Sequence, residues 1–214
     1  MYFSRKMSPV WTILLILVIG FFLVPNASAN MLYNSSFETV GPLGTSTSFT
    51  GLYNGGTTQY SAAQDWWVWN NTAGTTTTEL VPSTLSGGGS SMIHVTTTGG
   101  SNGLYQTFLP VNTGPTHVIG SAWIYVISGI VGIGTGNDGN THADIVTSTI
   151  GQWVFLQAPN GVSPANEFII YSNGGPAEFY AENASVNSVP EPAAILLLGV
   201  GIFGLAALRK KGEI

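Results

Sequence analysis

The chain has 214 residues, of which 44% are hydrophobic and only 7% charged, with no cysteine and a formal net charge of −5. All five basic residues lie near the ends, at Arg5, Lys6, Arg209, Lys210 and Lys211, whereas eight of the ten acids lie within residues 30–187. A middle without cations excludes nucleic acid as a partner, because phosphates need Lys and Arg. The composition also excludes disulfides and Lys or Arg salt bridges there, leaving a metal ion or a weak histidine contact as charge partners.

In chain order, the basic start at Arg5 and Lys6 precedes an apolar run from Val10 to Val24. Ala27-Ser28-Ala29 then supplies the small-x-small pattern of signal peptidase, so residues 1–29 read as a signal helix cleaved before Asn30. The run is short for a stable span, which wants about 20 residues.

Residues 30–187 are rich in Gly, Ser, Thr and Asn, with short apolar stretches between turn clusters. The pattern predicts an all-β domain with strands near 31–38, 65–70, 78–82, 91–97, 104–110, 117–127, 129–135, 141–147, 152–158, 166–172 and 178–187. Gly41–Gly56 reads as a surface loop and Ile124–Ile127 as a central strand covered on both faces. In the last strand, Phe179, Ala181, Asn183 and Ser185 are expected to oppose Tyr180, Glu182, Ala184 and Val186. With no repeat of fixed period, these strands and the absence of helices predict a jelly-roll β-sandwich.

Trp67 and Trp69 share one face of their strand, and Trp66 and Val68 the other; one face is core. Sugar rings stack their apolar faces on aromatic rings and bond through their polar edges, so an exposed ring beside amides and carboxylates is a candidate sugar site. Trp66, Tyr53 and Tyr60 are the expected platform. Gly99-Gly100-Ser101-Asn102-Gly103 fits G-x-S-x-G without the following helix, and Gly134, Gly136 and Gly139 fit G-x-G-x-x-G without a βαβ unit. Both are read as hairpin glycines. Asp138, Asn140, His142 and Asp144 alternate, the last two sharing a face of their strand; a surface metal site is conceivable there, but the turn at Asn137–Asn140 suffices to explain them. No HExxH and no acid pair for glycoside hydrolysis stands out, so no catalytic residue is assigned.

The C-terminal segment, 188–214, runs from Val189-Pro190-Glu191-Pro192 through an uncharged stretch, Ala193 to Leu208, to Arg209-Lys210-Lys211. As a helix over 193–208 it spans about 24 Å and reads as a transmembrane anchor with its basic end cytoplasmic. These three parts together resemble the PEP-CTERM sorting signal of Gram-negative bacteria, also catalogued as an ice-binding protein C-terminal domain. The resemblance implies processing by exosortase near Pro190–Pro192, through an inner-membrane-tethered intermediate, and delivery to the cell surface or extracellular matrix. It implies nothing about ice, and no regular Thr-x-Thr ladder runs through the strands.

The body shows a second resemblance. Asn30-Met31-Leu32-Tyr33-Asn34-Ser35-Ser36-Phe37-Glu38, Asp65-Trp66-Trp67-Val68-Trp69, Gly103-Leu104-Tyr105-Gln106-Thr107-Phe108, Ser121-Ala122-Trp123-Ile124-Tyr125, Gly151-Gln152-Trp153 and Phe179–Val186 are similar, in order, to the strands of galactose-binding-like jelly rolls. That superfamily includes many carbohydrate-binding modules. The likeness implies that the first and last strands are neighbours and hold a structural Ca²⁺ between Glu38, Glu182 and the Asn183 carbonyl, with Glu182 standing where Asp is usual. The expected protein is an exported, non-catalytic polysaccharide binder. A matrix protein without specific ligand, or a glycan-acting hydrolase, are the alternatives.

Overall fold

The computed structural model describes residues 30–52, 59–108, 118–136, 143–158 and 165–188. The expected signal helix with Ala27 and Ala29, the sorting residues Val189–Pro192 and Arg209–Lys211, the helix over 193–208, and Tyr53 lie outside them. Among the described residues there is no helix. Eleven strands form instead: β1 (Ser46–Thr50), β2 (Trp67–Asn70), β3 (Thr75–Pro82), β4 (Ser91–Thr97), β5 (Asn102–Thr107), β6 (Val118–Ser128), β7 (Val131–Gly136), β8 (Ala143–Thr147), β9 (Trp153–Gln157), β10 (Glu167–Ser172) and β11 (Ala177–Ser188).

They make two antiparallel sheets, of order β1-β3-β4-β11-β6-β9 and β2-β5-β10-β7-β8. From β4 onward the chain passes between the sheets in the winding of a jelly roll, with β1 and β3 extending one sheet and β2 the other. The core between the sheets takes alternate residues of each strand: Ile93 and Val95, Ala122, Ile124 and Val126, Phe168 and Ile170, Phe179 and Ala181.

Three local expectations change. Residues 31–38 do not form a strand, because Asn34 and Phe37 have φ of 42° and 59°, which breaks an extended ladder. Side chains hold the segment instead. Gln106 accepts from Tyr33 N–H (2.6 Å) and donates to the carbonyls of Tyr33 (2.9 Å) and Asp65 (2.7 Å). Asn30 bonds Ala184 O and Val186 N at the far end of β11. Within the expected loop 41–56, Ser46–Thr50 pairs with β3 as an edge strand. β6 is open on one face: Tyr125 and Ile127 remain partly exposed while Ile124 and Val126 are buried.

Candidate functional site

The outer face of the five-stranded sheet is built by strand parity. Its inner face takes Val68, Leu104, Phe168, Ile170, Val131 and Ile133, which sends the alternate residues outward. Register then lines up Tyr60, Trp67, Tyr105, Ile169, Gly134 and Asp144 in one row across the strands. A parallel row holds Trp69, Gly103, Tyr171, Gly132 and Val146. Trp67 and Tyr105 rings are 5.7 Å apart, and Trp69 meets the edge of Tyr171 at 6.3 Å.

These rows make a trough. Gly132, Gly134 and Gly136 alternate along β7 on its outward parity, and all three are buried. A Cβ at Gly132 would sit 2.8 Å from the Tyr171 ring, so only glycine lets that ring lie down on the sheet. Ile169 and Tyr171 form the floor, at 2% and 7% exposure, beside the half-exposed Trp67, Trp69 and Tyr105. Tyr171 donates its hydroxyl to Asp144 Oδ2 at 2.5 Å. Burial, and then the carboxylate it bonds, push the Tyr171 phenol above its ordinary value, so it stays a donor. Glu167 adds a second carboxylate in the next row, opposite Gly136 and Thr107. Indole and phenol faces beside fixed carboxylates can stack a sugar and accept from its hydroxyls.

The structure sorts the expected platform residues. Trp66 is fully buried, packed on Phe37 at 4.8 Å and edge-on to Phe168 at 6.3 Å, with its indole N–H donating to Asn34 O. It is a core residue and no platform. Trp67 and Trp69 take the exposed face instead. Tyr60 is 39% exposed and in register with Trp67, which extends the outward row. Of the glycines read as hairpin residues, Gly134 and Gly136 lie in the β7 arm of the β7–β8 hairpin and Gly139 lies outside the described residues, whereas Gly99–Ser101 connects β4 of one sheet to β5 of the other. Trp67 and Trp69 were visible in sequence as a same-face pair; nothing in sequence joined them to Tyr105, Tyr171 and Asp144, which arrive from three other strands.

A second feature lies on the other sheet. The β3–β4 loop, residues 83–90, brings Glu38 and Glu182 to adjacent glycines. Glu182 is fully buried, accepts from Gly89 N–H at 2.5 Å and from the Ser83 hydroxyl. Glu38 accepts from Ser91 N–H at 3.1 Å and from the Ser90 hydroxyl. A Cβ at Gly88 would overlap the Glu182 carboxylate, and one at Gly89 the Glu38 carboxylate. The Ser90 hydroxyl bond leads the interactions that hold the Glu38 carboxyl below its ordinary value. Asn183 follows Glu182 in a β-bulge at φ 50°. No group of three or more His, Cys, Asp or Glu gathers among the described residues. Two carboxylates and two hydroxyls are nevertheless a hard-oxygen set of the kind Ca²⁺ takes. A buried carboxylate in a domain lacking Lys and Arg also fits a cation, since burial of an uncompensated charge is costly.

Residues 188–211 match the PEP-CTERM protein-sorting motif. No curated protein matches the chain. Among solved structures, the chain is similar to the module TmCBM61 in complex with β-1,4-galactotriose, at 14% identity and TM-score 0.46, covering 76% of this chain and 100% of that one. It is also similar to the family 11 carbohydrate-binding module of the cellulosomal cellulase Lic26A-Cel5E of Clostridium thermocellum (12%, 0.43, 66% and 98%). A third is the CBM22-1 xylan-binding domain of Xyn10C from Paenibacillus barcinonensis (16%, 0.42, 78% and 99%).

Proposed function

We propose that the protein is exported, sorted by exosortase through its PEP-CTERM tail to the cell surface or extracellular matrix, and binds polysaccharide without cleaving it. The observation that carries the binding reading is the trough of Trp67, Trp69, Tyr105 and Tyr171 beside Asp144 over the glycines of β7. Its rings offer stacking faces and its carboxylates accept from sugar hydroxyls. The domain's lack of Lys and Arg disfavours acidic polymers and selects neutral chains.

Affinity electrophoresis of the full-length protein, in a detergent without a sugar headgroup, tests the reading. Retardation by neutral β-linked glycans such as galactan, xylan or mixed-linkage glucan is expected, and its weakening in Trp67→Ala. No retardation by any of these would leave a matrix protein without specific ligand. Release of reducing ends from a retained polymer would make it a hydrolase.

The sorting half of the reading has its own test. Exosortase processing predicts a mature C-terminus near Pro190–Pro192, read by mass spectrometry from the native cell; an intact Ile214 would overturn it. Signal peptidase likewise predicts a new N-terminus at Asn30, and the apolar run 193–208 a membrane-held precursor before exosortase acts. Within the β3–β4 loop site, Glu38 and Glu182 would hold Ca²⁺ with the Ser83 and Ser90 hydroxyls and the Asn183 carbonyl. The ion would tie the loop to β11.

A further inference from the structure

The outer face of the six-stranded sheet divides into two halves. Over β1 and β3 it is a lawn of hydroxyls, with Ser48 paired to Thr77 at 3.2 Å and Thr50 to Thr75 at 2.8 Å. Over β9, β6, β11 and β4 it is aromatic. Register sets Trp153, Tyr125, Tyr180 and His94 side by side on four successive strands. Their ring centroids step by 5.6, 5.9 and 4.8 Å. A second row begins beside it, Phe155 against Trp123 at 5.3 Å. None of these rings belongs to the core; all are partly exposed, and Phe155, on the edge strand, is 48% exposed.

Cross-strand pairing does not need rings here, since hydroxyl pairs serve the same sheet a few strands away. A contiguous band of exposed rings marks a place of interaction. The geometry points to a second binding surface, on the sheet opposite the trough, for a single neutral polysaccharide chain lying across β9, β6, β11 and β4. The band spans about 14 Å at the usual strand spacing, the length of a few linked sugars. Successive rings are turned by 64°, 53° and 38°, so a flat crystalline polymer face cannot stack on all of them, whereas one twisting chain can follow.

Charge chooses the occupant. At the end of the band His94 Nε2 lies 3.0 Å from Glu178, and Glu79 stands opposite His94 on β3. These are acceptors for sugar hydroxyls. A second copy of this domain brings more acids and no Lys or Arg to meet them, and an anionic surface is repelled for the same reason. The surface is separate from the trough, and neither depends on the other. With both, one molecule binds two chains on opposite faces of a two-sheet sandwich and cross-links them, gaining avidity toward a polymer.

Titration calorimetry of the full-length protein with soluble xylan, galactan and mixed-linkage glucan oligosaccharides tests this. Two bound sugars per protein are expected with at least one of them. Tyr125→Ala/Trp153→Ala is expected to weaken one site at least tenfold and leave the other, with Trp67→Ala doing the converse. Phe155→Ala, at an exposed edge position, weakens the same site as the double variant and checks for a folding defect. Wild type should raise the viscosity of the long polymer and either variant should not. One sugar per protein, lost in Trp67→Ala and untouched by Phe155→Ala, would overturn the second surface. So would a sugar-independent dimer in sedimentation that Phe155→Ala dissociates. Binding that survives only on the band would instead sink the trough.

Discussion

Trp66 and Trp67 are neighbours in sequence with opposite fates. Trp66 goes inward between Phe37 and Phe168, and Trp67 outward toward Tyr105. Removing the Trp66 side chain leaves a cavity that rigid sheets cannot fill, so Trp66→Ala should cost about 3–5 kcal/mol in denaturant unfolding. Trp67→Ala should change stability by under about 1 kcal/mol, as a partly exposed residue, while weakening glycan retention. The reverse ranking would overturn the facing of this strand. The alternation was legible in the sequence, but not which face was core. Asn70, a polar residue, turns out to lie inside, accepting from the Thr76 hydroxyl at 2.5 Å, so polarity gave no guide to the inner face. Gln106 is legible in a different way: it stands in Gly103–Phe108, one of the segments similar to galactose-binding-like strands, and its physical role is to hold the Tyr33 backbone through both its oxygen and its amide nitrogen.

Glu38 carries a pH prediction at the same scale. Its folded carboxyl sits below the ordinary value near 4.5, chiefly through the Ser90 hydroxyl. A depressed carboxylate contributes stability above its unfolded value and loses it as pH falls through the folded one. Thermal melts without Ca²⁺ should therefore drop as pH is lowered from 5.5 to 3. In Ser90→Ala the part of that drop due to Glu38 should shrink. An unchanged profile would mean that the bond does not hold the charge.

Among elements, β11 shows how one residue resets a strand. Up to Ala181 its parity follows the expected alternation, with Phe179 and Ala181 inward. The bulge at Glu182 and Asn183 then inserts a residue, so Ala184 and Val186 turn inward instead of opposing Phe179. A bulge carries no hydrophobic signature, which is why the alternation read from sequence failed halfway along while the strand's limits were nearly right. The same limit explains the missing strand at 31–38: φ values above zero at Asn34 and Phe37 come from the end-of-sandwich packing, and no glycine announces them. β1 was hidden for the opposite reason, as Ser and Thr at an edge read like a loop. The bulge makes Asn183→Gly nearly neutral, since φ 50° suits glycine. Asn183→Val should cost about 1–2 kcal/mol, because a β-branched residue resists that conformation. Equal stabilities for the two would argue against the bulge. The β3–β4 loop belongs to this scale too. Gly88→Ala should displace the loop from Glu182, lowering the melting temperature, since the overlapped atom is a buried carboxylate with little room to move.

At the scale of the molecule, the described domain contains acids and no Lys or Arg, and His94 bonded to Glu178 is the one basic–acidic side-chain contact among the described residues. Net repulsion of that kind opposes compaction, so moderate salt should stabilise the domain by screening. Ca²⁺ should do more than screening allows, because a site that binds only the folded state adds RT ln(1 + [L]/Kd), about 2.7 kcal/mol at a hundredfold excess over Kd. The melting temperature of the full-length protein should therefore rise in millimolar CaCl₂ and fall back with EDTA, with ionic strength held constant by NaCl. Glu182→Gln separates the two effects. The amide keeps an oxygen for Gly89 N–H but carries no charge, so the variant should melt higher than wild type in EDTA and should not respond to Ca²⁺. If wild type and Glu182→Gln rise equally with Ca²⁺, the ion acts on surface charge alone. In that case the buried carboxylate rests on its Ser83 and Gly89 bonds alone, and the β3–β4 loop owes its place to glycine rather than to a metal.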